Sequence, residues 1–346
     1  MPFLEKETSV SPETLSRKNT KSWLIRVMLL GMVFVSYQFF SILQSLEDSS
    51  TSASLYSTPC NSSRLWDSLS LNVSRNTRLF LRLKELSRRD FSSSLPLPYG
   101  INASENILRN IFSVLPYDDI PEHLESSKCR TCVVIGNGFT MKNKSLGNTI
   151  NQYDVVIRIN NGPVRGYEKD VGNKTTMRFF YPESAFYDPK VHNEPDTLMV
   201  LVPFKLVDLI WLRDILYKKK RIVQWGFWKP PPQIWLGRTS QFRILDPFFM
   251  RHTASDLLQV PFSPDVSEQK AVCPTSGILA VYVALNFCSV VHLAGFGYPS
   301  DKNNLIHYFG RDMMNCMIGS QHNITHEAQV LKKLEDHGVI QFLDQH

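Results

Sequence analysis

The sequence predicts an α/β domain with a largely parallel sheet, preceded by an apolar N-terminal segment. Short β-branched runs, Val133 to Ile135 and Val155 to Ile159, stop abruptly at Gly136 and at the pair Asn160-Asn161. Buried strands that deliver polar loops to one sheet edge have this pattern. Strand runs then alternate with helical ones after Cys129, which favours parallel pairing through crossovers. The 346 residues, 43% hydrophobic and 20% charged, suffice for one sizeable domain or two small ones with appendages.

Trp23 to Leu43 is almost wholly apolar, interrupted by Arg26, Ser36, Gln38 and Ser41. About 20 helical residues at about 1.5 Å each cross a bilayer core. Arg17, Lys18, Lys21 and Arg26 precede or open the run, and Glu47 and Asp48 follow it. The positive-inside rule therefore makes residues 1–22 a cytoplasmic tail, 23–43 a signal anchor and everything beyond it lumenal. A cleaved signal peptide is the competing reading, but the run is too long for a usual signal core and no clean small-x-small site follows. Residues 44–64 are rich in Ser and Thr and read as a stem, with the folded body over 65–346. Asn-x-Ser/Thr sequons at Asn61, Asn72, Asn102, Asn143, Asn173 and Asn323, with six cysteines, suit an oxidising lumen.

Within the body, Leu79, Leu83 and Leu86 sit at helical spacing and predict a helix, broken by Pro96, Pro98 and Gly100. A second helical pattern covers Ile107 to Val114, and a third Val207 to Tyr217, ending in the basic cluster Lys218 to Arg221. Leu198 to Val202 reads as a strand, Phe227 to Pro232 as a rigid loop, and Phe242 to Phe249 as a strand and turn. Ile278 to Phe287 is a charge-free helix, and Val290 to Ala294 a strand ending at Gly295. There are no internal repeats. The net charge of +6 suits an anionic ligand, while no basic run interleaved with aromatics points to nucleic acid.

The stretch Cys129 to Ser184 concentrates the polar turns. Gly136 and Gly138 allow close approach of a ribose or phosphate to the backbone, and Asn137 and Asn160 can donate and accept hydrogen bonds; either could equally be a plain turn. Thr275 or Ser276 can cap the helix that follows Pro274-Thr275-Ser276-Gly277, leaving free N–H groups at its start. Taken together, Cys129 to Ser184, Pro274 through Gly295-Phe296-Gly297-Tyr298-Pro299, His307-Tyr308-Phe309, and His322 with Glu327 resemble, in order, the motifs of the animal sialyltransferases of glycosyltransferase family 29. The resemblance spans about three quarters of the chain. Arg158-Ile159-Asn160-Asn161-Gly162-Pro163, Tyr181 to Ala185 and Gly226-Phe227-Trp228-Lys229 look most like the β-galactoside α2,3 branch acting on N-acetyllactosamine ends.

What the resemblance implies is specific. The fold is a Rossmann-like glycosyltransferase A variant in a single domain. The reaction is inverting transfer of sialic acid from CMP-Neu5Ac to the 3-hydroxyl of a terminal galactose on a glycoprotein or glycolipid, at a Golgi membrane. His322 is the general base and His307 the phosphate partner. Asn137, Asn160, Tyr181, Thr275, Ser276, Gly277, Gly297 and Tyr308 hold the donor, and Glu327 supports the last motif. Imidazole chemistry fits both histidine roles, since it titrates near neutrality. Cys132 pairs with Cys288; Cys60 with Cys129 is a candidate second bridge, and Cys273 and Cys316 have no assigned partner. Cys273 departs from the family pattern beside the acceptor side. A glycan on Asn323 would crowd the base, so that residue is expected unmodified.

No cofactor is expected: Asp-x-Asp, the metal clamp common with diphosphate leaving groups, does not occur, and Cys129-x-x-Cys132 lacks a second pair for zinc. The alternatives are a glycolipid-directed α2,3- or an α2,6-sialyltransferase, and a non-catalytic Golgi glycan-binding pseudoenzyme. A hydrolase lacks its Gly-x-Ser-x-Gly elbow.

Overall fold

The computed structural model describes residues 26–43, 69, 71, 73–86, 95–115, 120–121, 124, 129–186, 188, 196–220, 222, 224–260, 273–297, 303–313 and 322–344. The chain divides into two units, Met1–Thr58 and Pro59–His346. The first contributes a helix, Arg26–Leu43, whose 18 residues and mean hydropathy of 1.6 make it long and apolar enough to cross a membrane. The tail, stem and outer sequon at Asn61 lie outside the described residues.

The second unit is built on a parallel sheet of seven strands: β1 Thr131–Ile135, β2 Val155–Ile159, β3 Met177–Phe180, β4 Leu198–Leu201, β5 Phe242–Ile244, β6 Val290–Ala294 and β7 Gln341–Phe342. Their order is β5-β4-β3-β2-β1-β6-β7, and each adjacent pair runs parallel. β1, β2 and β6 are buried along their whole length, which explains their unbroken apolar runs. One face, including Cys132, Val134, Val155 and Ile157, packs on the helix Ser276–Phe287. That helix carries no charge because all but one of its residues are buried. The other layer packs Phe180, Leu201 and Phe242 against Glu105–Phe112 and Leu206–Leu216.

The helix expected around Leu79 to Leu86 is absent. Leu79, Phe80 and Leu81 are buried consecutively, whereas Leu83, central to the supposed stripe, is 47% exposed. The segment is extended instead: Phe80 bridges Leu245 antiparallel, Leu81 N–H donates to Ile244 O at 2.9 Å, and Asp246 N–H to Leu79 O at 2.9 Å. Only Leu83–Glu85 forms a 3₁₀ turn. β5 would otherwise be an open edge, and covering it outweighs the local helical spacing. The other expected strands and helices form within a residue or two, with the Phe242 to Phe249 stretch split into β5 and a helix Pro247–His252 capped by Asp246.

Because β1 is flanked by β2 and β6, the chain reverses its direction of travel across the sheet between β1 and β6. Such a switch point opens a crevice at the carboxyl ends. Here the two turns touch. Gly136 N–H donates to Ala294 O at 2.7 Å and Gly138 N–H to Gly295 O at 2.8 Å. A Cβ on Gly136 would lie 2.2 Å from Gly295 O, and Gly295 itself sits at φ +71°. Asp344, after β7, accepts from Gly295 N–H at 3.0 Å and from Thr140 Oγ1 at 2.6 Å, pinning both turns. Gly136→Ala should therefore cost about 3 kcal/mol, read as a lower midpoint in denaturant unfolding of the full chain; a wild-type midpoint would show that the two turns can part.

Candidate active site

The sequence-predicted residues gather at this edge in two groups. In the first, Tyr308 N–H donates to Asn137 O at 3.1 Å, Phe139 N–H to Ile306 O at 3.0 Å, and Gly138 pairs antiparallel with His307. The turn after β1 thus recruits the His307 segment as a short ladder. Gly162, which the sequence did not single out as a site residue, is where this group converges. A Cβ there would be 2.3 Å from Asn137 Oδ1 and 3.1 Å from Tyr308 Oη. Tyr308 is buried, and its hydroxyl donates to Pro163 O at 2.7 Å. Burial pushes that phenol up to about 12. Gly297 O lies 3.4 Å from the same construction on Gly138, placing the loop after β6 here too.

Asn160 occupies the left-handed region, φ +52°. Its N–H donates to Phe179 O at 2.7 Å, and its carbonyl accepts from Arg178 Nη1 at 2.8 Å. The same Nη1 also reaches Gly162 O at 3.1 Å. Among the described residues the Asn160 Oδ1 and His307 Nδ1 atoms are buried without a hydrogen-bond partner. For His307 the Asp312 carboxylate stands 3.7 Å away, beyond hydrogen-bond range. Burial holds the His307 imidazole below its ordinary value, with Asp312 opposing the shift. Beneath lie Arg158 and Arg178, register partners on β2 and β3 and both almost wholly buried. Their charges favour the ionised form of Tyr308, which locates a positive field under this group.

The second group surrounds His322. Its Nδ1 lies 2.6 Å from Cys273 O. A carbonyl only accepts, so Nδ1 carries the proton and Nε2 is the basic nitrogen of the neutral ring. Phe204 sets its ring edge-on to His322, with centroids 6.2 Å apart, and edge-on to Tyr181 at 5.5 Å. Cys273 leads directly into the cap. Thr275 Oγ1 accepts from Ile278 N–H at 3.2 Å, so Thr275 is the N-cap, and Ser276 opens the helix. Glu327 grips Thr275 with both oxygens, from N–H at 2.8 Å and from Oγ1 at 2.6 Å. Burial raises the Glu327 carboxyl to about 7 against those bonds. Gly277 meets Phe296 and Ile159, a Cβ on it lying 3.3 Å and 3.6 Å from them, so the cap abuts the end of β2 and the loop after β6. Asn323 caps the helix Ile324–Asp336 through His326 N–H at 3.0 Å.

Cys132 and Cys288 form a disulfide, Cα–Cα 5.8 Å, joining β1 to the end of the buried helix. Cys129 is also disulfide-bonded, to a partner outside the described residues, where the Cys60 and Cys316 assignments fall as well. Cys273 is a free thiol, pushed up to about 12 by burial and the nearby Glu327 charge, which makes it a poor nucleophile.

The sequence profile of glycosyltransferase family 29 (sialyltransferase) matches residues 81–339. The chain belongs to this family. It is 49% identical over 275 residues to the human CMP-N-acetylneuraminate-beta-galactosamide-alpha-2,3-sialyltransferase 4, covering 79% of this chain and 81% of that protein. It is 43% identical over 251 residues to the human type 2 lactosamine alpha-2,3-sialyltransferase, covering 72% and 75%. A mammalian sialyltransferase crystal structure superposes with TM-score 0.67 at 26% identity, covering 84% of this chain and 98% of the other. The same comparison with a mammalian sialyltransferase bound to Gal-beta-1-3GalNAc-ortho-nitrophenol gives 0.66, at the same identity and coverage.

One feature of this sialyltransferase was not legible in its motifs. Lys205 pairs with Glu183, and Asp208 accepts from the N–H groups of Phe204 and Lys205 at 2.9 and 3.0 Å. The half-exposed Lys205 ammonium thus pairs with one buried carboxylate, Glu183, while the other, Asp208, is held by backbone N–H groups and feels the ammonium only through space. Burial, reinforced by Glu183 and opposed by Lys205, raises Asp208 from 3.8 to about 7. The native state holds that proton more tightly than the unfolded chain, so stability falls as pH rises from 3.8 towards about 7. Asp208→Asn keeps an acceptor for both N–H groups and removes the titration. Its melting temperature should gain on wild type across that window; parallel pH profiles would refute a buried Asp208 that takes up its proton on folding.

Proposed function

We propose that this chain is an inverting α2,3-sialyltransferase that moves sialic acid from CMP-Neu5Ac to the 3-hydroxyl of a terminal galactose, releasing CMP. The observation that carries the reading is the His322 tautomer: with Nδ1–H committed to Cys273 O, Nε2 is oriented as a base at the carboxyl edge of the sheet. Nε2 takes the proton of the acceptor hydroxyl as its oxygen bonds to C2 of the sialyl group. The C2–O bond to phosphate breaks, and its electron pair leaves with CMP. His307, kept neutral at rest by burial, gains proton affinity when a phosphate arrives beside it, and supplies positive charge to the departing group.

Asn137 and Asn160 serve the ribose and phosphate, with the orphaned Asn160 Oδ1 as an acceptor for a ligand hydroxyl. Thr275, Ser276 and Gly277, with the Gly297 loop, take the cytidine, and Tyr181 faces the phosphate. Tyr308 spends its only proton on Pro163, which favours positioning the His307 segment over a phosphate contact. The similarity to proteins named for α2,3 transfer to β-galactosides and to type 2 lactosamine supports Galβ1-4GlcNAc or Galβ1-3GlcNAc ends as acceptors. The helix Arg26–Leu43 would anchor the enzyme in a Golgi membrane, with residues 1–22 cytoplasmic, 44–64 a stem and 65–346 lumenal. We further propose metal-independent transfer, since a monophosphate leaving group can be met by His307 and backbone donors.

His322→Ala should lower kcat at least about 10²-fold with an unchanged melting temperature. Transfer at the wild-type rate by folded variant would remove His322 as base, and a product resistant to an α2,3-selective sialidase would remove the linkage. Excess EDTA should leave the rate within about twofold; a loss restored by Mn²⁺ or Mg²⁺ would refute metal-independence.

A further inference from the structure

We propose that the turn bearing Trp225 and Trp228 is a second acceptor subsite, on which the sugar ring next to the terminal galactose stacks. This rests on the transfer reaction proposed above and names where the rest of the acceptor lies. Outside the N-terminal helix, Trp225 and Trp228 are the most exposed large apolar side chains among the described residues, at 69% and 72%. Two indoles held in solvent are costly unless something covers them.

The turn is built rather than loose. Gly226, at φ +80°, packs on Val207 in the first turn of Leu206–Leu216, 3.3 Å from a constructed Cβ. Phe227 lies under the Lys205 ammonium, 5.0 Å from its centroid, and Lys205 is held by Glu183. Beyond the turn, Pro232 O accepts from Trp211 Nε1 at 2.9 Å, fixing the proline run. Lys205 follows Phe204, the ring set against His322. Residue contacts therefore connect the Phe204 ring beside the base, through Lys205 and Phe227, to the turn that carries the exposed indoles.

In this proposal an acceptor whose 3-hydroxyl sits at His322 extends its next sugar towards that turn. The C–H face of a pyranose packs on an indole face, and its hydroxyls stay wet at an exposed site. Exposed, amphipathic indoles on a turn fixed by Gly226 and Phe227 match that chemistry.

The test reads binding rather than turnover, so that failure of the transfer reaction and failure of this subsite give different results. Full-length wild type, Trp228→Ala and Trp228→Phe, in detergent with saturating CMP, are titrated with N-acetyllactosamine and with methyl β-galactoside. Trp228→Ala should weaken the disaccharide about tenfold and leave the monosaccharide and CMP within about twofold, with Trp228→Phe recovering most of the loss. Equal weakening of both sugars, or of neither, would overturn the subsite. So would an unchanged disaccharide affinity together with lost binding to neutral phosphatidylcholine vesicles, which would assign the indoles to a membrane surface.

Discussion

The backbone contact between the turns after β1 and β6 is the constraint from which the site follows. Two turns at a switch point normally leave a crevice between them; here glycine at positions 136 and 295 lets them meet through main-chain hydrogen bonds. Asp344 holds the contact from the far edge of the sheet, and the Cys132–Cys288 bridge ties the same pair of segments across a sequence separation of 156. On a chain-entropy view a loop of that size contributes about 5 kcal/mol. Once the turns are fixed, Asn137 and Gly138 present a strand-like edge, and the His307 segment pairs with it.

The second organising element is electrostatic. The site rests on charges buried with tailored partners: Glu327 on the Thr275 cap, Glu183 on the Lys205 ammonium, Asp208 on the N–H groups of Phe204 and Lys205, Arg178 on the carbonyls of Asn160 and Gly162. Each pair joins a loop to a helix or strand and so converts a flexible connection into a defined one. Leaving any partner alone would strand a buried charge, which costs more than the pair gains. The arrangement therefore favours precision of loop position over stability, and His322 and Phe204 inherit that precision from Cys273, Thr275 and Asp208.

The placement of much of the candidate site was readable because its residues lie in ordered motifs: Asn137 and Asn160 follow strand ends, and Thr275 and His322 precede helix starts. Gly162, Phe204, Asp208 and Asp344 were not readable. Asp208 looks like an ordinary acidic residue in the first helical turn, and Asp344 like a polar terminus; only the fold reveals that each is buried and bonded. Gly162 follows Asn160-Asn161, where a glycine suits any turn, and nothing local says that Asn137 and Tyr308 will close on it.

The amino-acid sequence alone determined the membrane-length apolar helix, the alternation of apolar runs and polar turns, and membership of the sialyltransferase family. The first two depend on composition, periodicity and turn chemistry, which act over a few residues; the third rests on ordered motifs that resemble those of the family. The tertiary structure decided that Leu79 to Leu81 runs extended beside β5 despite the helical spacing of Leu79, Leu83 and Leu86. It also decided that His307 docks on Gly138, and that Glu183 and Asp208 are both buried beside Lys205. Those outcomes depend on which distant groups must share burial and satisfy one another's hydrogen bonds, and no local pattern carries that information.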